Sequence, residues 1–311
     1  MDDYEVIVIG GGINSLTAAA LLGESGKTVL LLEACQQVGG MASIVEFTPG
    51  FRCNIINDYI KWIDPRLLKQ LHLEEHGLEF EYPSIFRTAL NENGEHLHFY
   101  LDPSQTAKSI SHHSWKDAEN WISFTEQISK LTQFLEAIYA VTPPYLPNIG
   151  LREMLSLFSI TKPILKQGSR GLTEFMRVVP MMMPELMDEW FESEFTKGAL
   201  ATAGIHHITQ GPFSAATGLN FLHQHVHNKN MIHRVHFIKG GTDQLANSLQ
   251  KAVLKAEVEI RFGKRVSVIT TENGFCKGII TNEGQSITAS KVVSGLDPHS
   301  TCLNLVGAKN L

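Results

Sequence analysis

Tyr4-Glu5-Val6-Ile7-Val8-Ile9-Gly10-Gly11-Gly12-Ile13-Asn14-Ser15 is the stretch whose reading decides the fold. Val6 to Ile9 is an unbroken β-branched run, suited to a strand buried on both faces. Three glycines follow it. Beyond them Leu16, Ala19, Ala20, Leu22 and Gly23 keep one helical face small and apolar until Gly26 ends the helix. Thr28 to Leu32 reads as a second strand, and it runs into Glu33. An acidic residue about 20 positions after the first glycine of such a βαβ unit is the spacing of a dinucleotide-binding turn.

Each part of that turn has a physical task. Gly10 and Gly11 allow the chain to bend sharply, and Gly12 lets backbone approach a pyrophosphate with no Cβ in the way. Ile13, Asn14 and Ser15 open a helix whose free N–H groups and partial positive charge face the phosphates. Glu33 can accept hydrogen bonds from a ribose hydroxyl. Ser15 stands where a third glycine is usual, because the helix packs closely on the strand there. Three glycines alone are a weak signal, and a glycine turn in a non-binding α/β unit is the plain alternative. Their placement between strand and helix, with the acid correctly spaced, favours binding.

The residues after Glu33 separate NAD from FAD. Ala34-Cys35-Gln36-Gln37-Val38 leads to Gly39-Gly40-Met41-Ala42. A glycine pair at this distance is similar to the second phosphate-binding loop of glutathione-reductase-type FAD domains. By itself it reads equally well as a surface loop; with the upstream unit it selects FAD. Side-chain-free backbone there would offer further donors to a long flavin dinucleotide.

Composition narrows the function classes. With 311 residues the chain is long enough for two domains and a substantial core. Hydrophobic residues at 43% and charged residues at 19% exclude global disorder. A net charge of −6 argues against nucleic acid as a partner. Cys35, Cys53, Cys276 and Cys302 lie far apart with no CxxC pair, which argues against a disulfide framework, a zinc ribbon or a dithiol redox centre and fits a reducing compartment. No segment reaches the roughly 20 apolar residues of a spanning helix. The chain enters an apolar strand by Tyr4, so no cleavable targeting peptide is expected. The expected location is the cytoplasm, with the chain either free or lying on a membrane surface.

Downstream, Asp64-Pro65 has the form of a helix start, with Leu67, Leu68 and Leu71 on its apolar face. Leu78–Tyr82, Ile85–Leu90 and His96–Leu101 read as strands, the last two joined by the turn Asn91-Glu92-Asn93-Gly94. Asp102-Pro103 opens a long helical stretch, and the spacing of Trp121, Phe124, Ile128, Leu131, Leu135 and Ile138 predicts a helix over 115–140. Thr142-Pro143-Pro144 stops it. Helical segments broken by Gly and Pro then run from Leu151 to Val226. This region is rich in methionine (Met154, Met176, Met181, Met182, Met183, Met187), which favours adaptable core over a deformable pocket or a membrane-facing surface. His223-x-His225-x-His227 would share one face on a strand but not on a helix. The pattern is helical there, so no metal is expected, and the histidines read as a polar rim or as titratable groups near a cavity. Strand period returns at Val235–Ile238. A helix comes next with Leu245, Leu249, Val253 and Leu254 on one face, then short strands at Glu257–Arg261, Lys264–Thr270, Phe275–Thr281 and Ser286–Thr288, and a last core strand from Lys291.

The expected fold is therefore α/β: a discontinuous, Rossmann-like, glutathione-reductase-type FAD-binding domain at 1–77 and 234–311, incomplete at its C-terminal side, with a mainly helical substrate or cap domain inserted at 78–233.

A family resemblance rests on Val6-Ile7-Val8-Ile9-Gly10-Gly11-Gly12-Ile13-Asn14-Ser15-Leu16, Val38-Gly39-Gly40-Met41-Ala42, Pro49-Gly50-Phe51, Trp190-Phe191-Glu192-Ser193-Glu194 and Ile238-Lys239-Gly240-Gly241. In order, these span essentially the whole chain. The chain resembles the phytoene desaturase/carotenoid isomerase-like FAD-dependent oxidoreductases, and above all their pyridine nucleotide-disulphide oxidoreductase domain-containing branch. The resemblance implies FAD held by Gly10, Gly12, Ser15, Glu33, Gly39 and Gly40, with a backbone contact to adenine from the strand containing Val266. It implies hydride transfer to the flavin from a hydrophobic, polyene- or lipid-like substrate under the helical cap. Members of that family continue past the position of Leu311, with a further glycine-rich stretch against the flavin ring. The expectation is that a missing C-terminal half or a partner chain completes the site. The competing expectation is a non-catalytic nucleotide-binding or interaction protein that keeps the fold without a complete redox site. No catalytic base can be named; Asn57, Asp58 and the histidines from His206 onward carry no assigned role.

Overall fold

The computed structural model describes residues 3–54, 56, 59–143 and 150–311, with the side chains of 3, 151–157 and 159 outside that set. Asn57 and Asp58 therefore lie outside the described residues, as do Pro144 and the side chain of Met154. The chain divides into two compact units, Met1–Glu81 with His236–Leu311, and Tyr82–Val235.

The first unit is built on β1 (Asp3–Ile9), α1 (Ile13–Glu24) and β2 (Val29–Leu32), then the hairpin of β3 (Ile44–Thr48) and β4 (Phe51–Asn54) and α2 (Pro65–Gln70). Asp64 caps α2 by accepting from the Arg66 N–H at 2.8 Å. A short strand, β5 (Phe80–Glu81), closes this segment.

The second unit holds the hairpin β6 (Ile85–Leu90) and β7 (His96–Tyr100), then α3 (Pro103–Ser111), α4 (Trp115–Tyr139), α5 (Leu151–Val178), α6 (Met183–Asp188), α7 (Glu194–Ala201) and α8 (Thr217–Gln224). The helical stretch expected after Asp102 is two helices, because Ser114 leaves α3's path and caps α4 through the Asp117 N–H. Non-helical dihedrals at Gly168 kink α5, which also contains Pro163. The core joins Phe99 of β7 and Trp121, Phe124, Ile128 and Leu131 of α4 to Met183, Met187 and Phe221. Met183 and Met187 are core side chains, as the composition favoured, whereas Met176 is exposed. Asp117 is fully buried and accepts from the N–H groups of Glu192 and Ser193 at 2.8 and 3.0 Å. It anchors the loop between α6 and α7.

The chain then returns to the first unit through β8 (Phe237–Ile238), which pairs with β5. Next come α9 (Asp243–Lys255), β9 (Glu259–Arg261), β10 (Val266–Glu272), β11 (Phe275–Thr281) and β12 (Ser286–Ser294), and the chain continues into a π-helix, Ser300–Gly307. Six strands form one sheet in the order β10-β11-β12-β1-β2-β9. β12, β1, β2 and β9 run parallel, and β10 and β11 join antiparallel. Alternation along β1 and β2 sorts two cores. Val6, Val8, Val29 and Leu31 pack with Leu16, Ala20, Leu245 and Leu249 of α1 and α9. Ile7, Ile9, Leu30 and Leu32 pack with Val266, Ile269, Ile279 and Ile287.

Two local expectations are corrected. Leu254 is 54% exposed and leaves the apolar face of α9 to Leu245, Leu249 and Val253. The strand at Ser286–Thr288 and the last core strand are one nine-residue element, β12. It pairs antiparallel with β11 at Ser286–Thr288 and parallel with β1 from Thr288 to Ser294, so its two edges carry it across the weak strand formers Ala289 and Ser290. No described helix is long and apolar enough to cross a membrane.

Candidate functional site

The parallel strands β1 and β2 end at Gly10 and Glu33 on the same side of the sheet, where an α/β sheet opens its ligand crevice. The Gly10 N–H donates to the Leu32 carbonyl at 2.8 Å, so the turn leaves the sheet beside the strand that carries the acid. Gly12 precedes α1 with extended backbone, no side chain caps that helix, and its first turn holds no acidic residue. The opening N–H groups of α1 are thus left for a ligand oxygen to satisfy.

The second glycine pair lies against the first. The Gly39 N–H donates to the Gly11 carbonyl at 2.8 Å, and Gly12 and Gly39 form a parallel bridge. Gly40 has φ +54°, and a Cβ built on it would stand 3.2 Å from the Cα of Gly12. A Cβ on Gly12 would meet nothing within 4 Å. The two loops cross at a point where a side chain on Gly40 would press on Gly12, and the free side of Gly12 opens into the crevice. This is the contour a diphosphate needs.

Glu33 is 9% exposed. Its Oε2 accepts from the Gly11 N–H at 2.5 Å and its Oε1 from the Cys35 N–H at 2.7 Å. A carboxylate has about four lone-pair sites, so each oxygen retains capacity for a sugar hydroxyl. The same negative charge raises the pKa of the Cys35 thiol.

Ser15 is buried at the helix–strand contact. The hydroxymethyl group is accommodated by a glycine elsewhere: a Cβ on Gly295 would fall 1.8 Å from Ser15 Oγ. Gly295 sits just after β12, where its N–H donates to the Ile9 carbonyl at 2.9 Å.

Two clefts in the first unit receive these residues. A cleft of about 780 Å³ is lined by Gly10, Gly11, Gly12, Ile13, Asn14, Ser15, Glu33, Gly39, Gly40, Met41 and Ala42. Ala34 and Val266 line instead a smaller one of about 360 Å³, and Gly10, Glu33 and Leu296 border both. The residues fit a dinucleotide: a smaller cleft and a larger cleft meet at a buried carboxylate and a side-chain-free turn.

Sequence reasoning missed several neighbours. Thr242, at the start of α9, is fully buried, and its hydroxyl donates to the Ala42 carbonyl at 2.9 Å, tying α9 to the second glycine loop. Ile60, Trp62, Ile63, Leu67, Leu245 and Leu249 form an apolar wall of the larger cleft. Ser300, Asn304 and Leu305 line the smaller one. The strand-to-loop step at Gly295-Leu296 was the available signal for that side.

The histidines of the second unit find separate partners. His223 Nδ1 lies 3.0 Å from the Tyr139 hydroxyl, His225 Nδ1 lies 2.6 Å from the Phe221 carbonyl, and the His227 N–H donates to Glu136. Among the described residues no group of three or more His, Cys, Asp or Glu is arranged to hold a metal.

The chain is similar in sequence and fold to known proteins. Residues 16–301 match the family model described as flavin containing amine oxidoreductase. Pyridine nucleotide-disulfide oxidoreductase domain-containing protein 2 of Rattus norvegicus is 25% identical over 97% of this chain and 55% of its own length. A limonene dehydrogenase subunit from Castellaniella defragrans is 26% identical over 96% of this chain and 52% of its own. Among solved structures, cyclohexylamine oxidase from Brevibacterium oxydans superposes with a TM-score of 0.57 at 17% identity, covering 98% of this chain and 60% of that one. The chain spans about half the length of the curated relatives it matches.

Proposed function

The chain belongs to the flavin-containing amine oxidoreductase family, and FAD is its cofactor; from that premise we propose that it is the dinucleotide-binding part of an oxidoreductase acting on a hydrophobic, polyene- or lipid-like substrate. When bound, FAD supplies the hydride acceptor. The chain's own residues bind and orient it. The Gly10–Ser15 turn and Gly39–Ala42 would hold the diphosphate through backbone N–H groups, and Glu33 the adenosine ribose. Val266 and Ala34 would face the base.

The observation that carries this reading is the crossing of two glycine loops beside a buried carboxylate that borders both clefts. The apolar wall formed by Ile60, Trp62, Ile63, Leu67, Leu245 and Leu249 supports a hydrophobic substrate. A relative named for limonene, a cyclic hydrocarbon, and designated a subunit supports both the substrate class and a site completed by further polypeptide. We extend the proposal accordingly: turnover needs a C-terminal half or partner chain. The described part of the larger cleft contains no paired acid and base, so protein-mediated proton transfer is not assigned to this chain.

The experiment is a titration of the purified chain with FAD, read by flavin absorbance and thermal shift. A stoichiometric yellow complex, bleached anaerobically by a hydrophobic alcohol or polyene once the remaining polypeptide is supplied, is the expected result. A protein that stays colourless, with no thermal shift, overturns the reading. A flavin complex that no such substrate bleaches in the completed assembly favours the non-catalytic alternative.

A further inference from the structure

We propose that Asn304 reads the adenine base of the bound dinucleotide, an assignment that rests on the FAD-binding reading above. The smaller cleft, about 360 Å³, lies between the start of β10 and the π-helix Ser300–Gly307. From the strand side it receives the buried side chain of Val266. From the helix side it receives Ser300, Asn304 and Leu305.

The helix type brings these three together. In an i→i+5 helix, residues four and five apart straddle one face, whereas in an α-helix a residue five positions on is turned by about 140°. The wide turn therefore presents Asn304 and Leu305 side by side. Leu305 packs with the core around Ile7, Ile9 and Val266, and both Leu305 and Val266 give this cleft apolar lining that suits a flat base. Asn304 is exposed and lines this cleft, and its carboxamide makes no hydrogen bond among the described residues. A carboxamide carries an acceptor and a donor in one plane, which match the exocyclic amino group of adenine and an adjacent ring nitrogen. π-turns recur at functional sites because they displace side chains from their helical positions, and here the displacement puts a recognition group beside the cleft.

The test uses the full chain and three probes: FAD, ADP and FMN, which lacks the adenylate. For Asn304→Ala the expected result is about ten-fold or greater weakening of both FAD and ADP binding, the range of a lost bidentate base contact, with FMN affinity unchanged. Asn304→Gln, which keeps the carboxamide, should recover part of the loss. A urea midpoint equal to wild type separates recognition from misfolding. Equal FAD and ADP affinities for wild type and Asn304→Ala overturn the assignment alone. A wild-type chain that takes up neither FAD nor ADP overturns it together with the FAD-binding reading. Equal weakening of FMN assigns Asn304 a merely structural role and also overturns it.

Discussion

Glu33, proposed above to hold the adenosine ribose, is fixed in place by the fold itself. Two backbone N–H groups, from Gly11 and Cys35, hold its carboxylate at the border of both clefts. Glu33→Ala should weaken FAD binding by about 1.5–3 kcal/mol, the range for hydrogen bonds to a charged group, measured by fluorescence titration. Undiminished affinity would remove Glu33 from the site. The neighbouring thiol gives an independent readout. Cys35 is exposed, and the Glu33 charge raises its pKa, because an adjacent carboxylate disfavours the thiolate. A raised pKa means less thiolate at any pH below it, hence slow alkylation. Glu33→Gln removes the charge, so the rate–pH curve for iodoacetamide should shift to lower pH and the rate near neutrality should rise. A curve that stays in place would assign the perturbation to another cause.

At the scale of elements, the contact between α1 and the end of β12 departs from the usual glycine pattern. Ser15 fills the position of a third glycine, and Gly295 supplies the missing space from the opposite side. The two positions should therefore be coupled. Gly295→Ala overpacks the contact and is expected to cost about 1–3 kcal/mol. Adding Ser15→Gly should restore most of it, seen as a non-additive double-mutant cycle in urea unfolding. Additive losses would show that the side chain on one element does not answer the gap on the other. β12 illustrates the same dependence on partners. Ala289 and Ser290 are poor strand formers, which is why the segment reads as two strands in isolation. The parallel ladder to β1 overrides that preference.

Over the whole molecule, the candidate site belongs to one of the two units. All residues lining both clefts fall within Met1–Glu81 and His236–Leu311. FAD at 100 times its dissociation constant should stabilise that unit by about 2.7 kcal/mol through mass action. Hydrogen exchange should accordingly slow in β1, α1, β2 and β12 on FAD addition, and slow less in α4 and α8. Uniform protection of both units would indicate that they unfold as one cooperative body, and no protection would contradict binding at this site.

The amino-acid order alone settled the βαβ unit, the two glycine loops, the acid after β2 and the switch to a helical middle segment. These depend on local period and short spacing, which a chain displays without its neighbours. The helix starts at Asp64 and Asp102 were legible for the same reason, since a cap and a proline act within one turn. Tertiary structure alone decided that Gly40 crosses Gly12, that Gly295 makes room for Ser15, that Thr242 is tied to the second loop, and that a π-helix lays Asn304 against the cleft. Each of these joins residues distant in the chain, or depends on a local twist that neighbouring packing imposes. Pattern along a sequence records which face a residue seeks, whereas the partner it meets there is set only when the sheet closes.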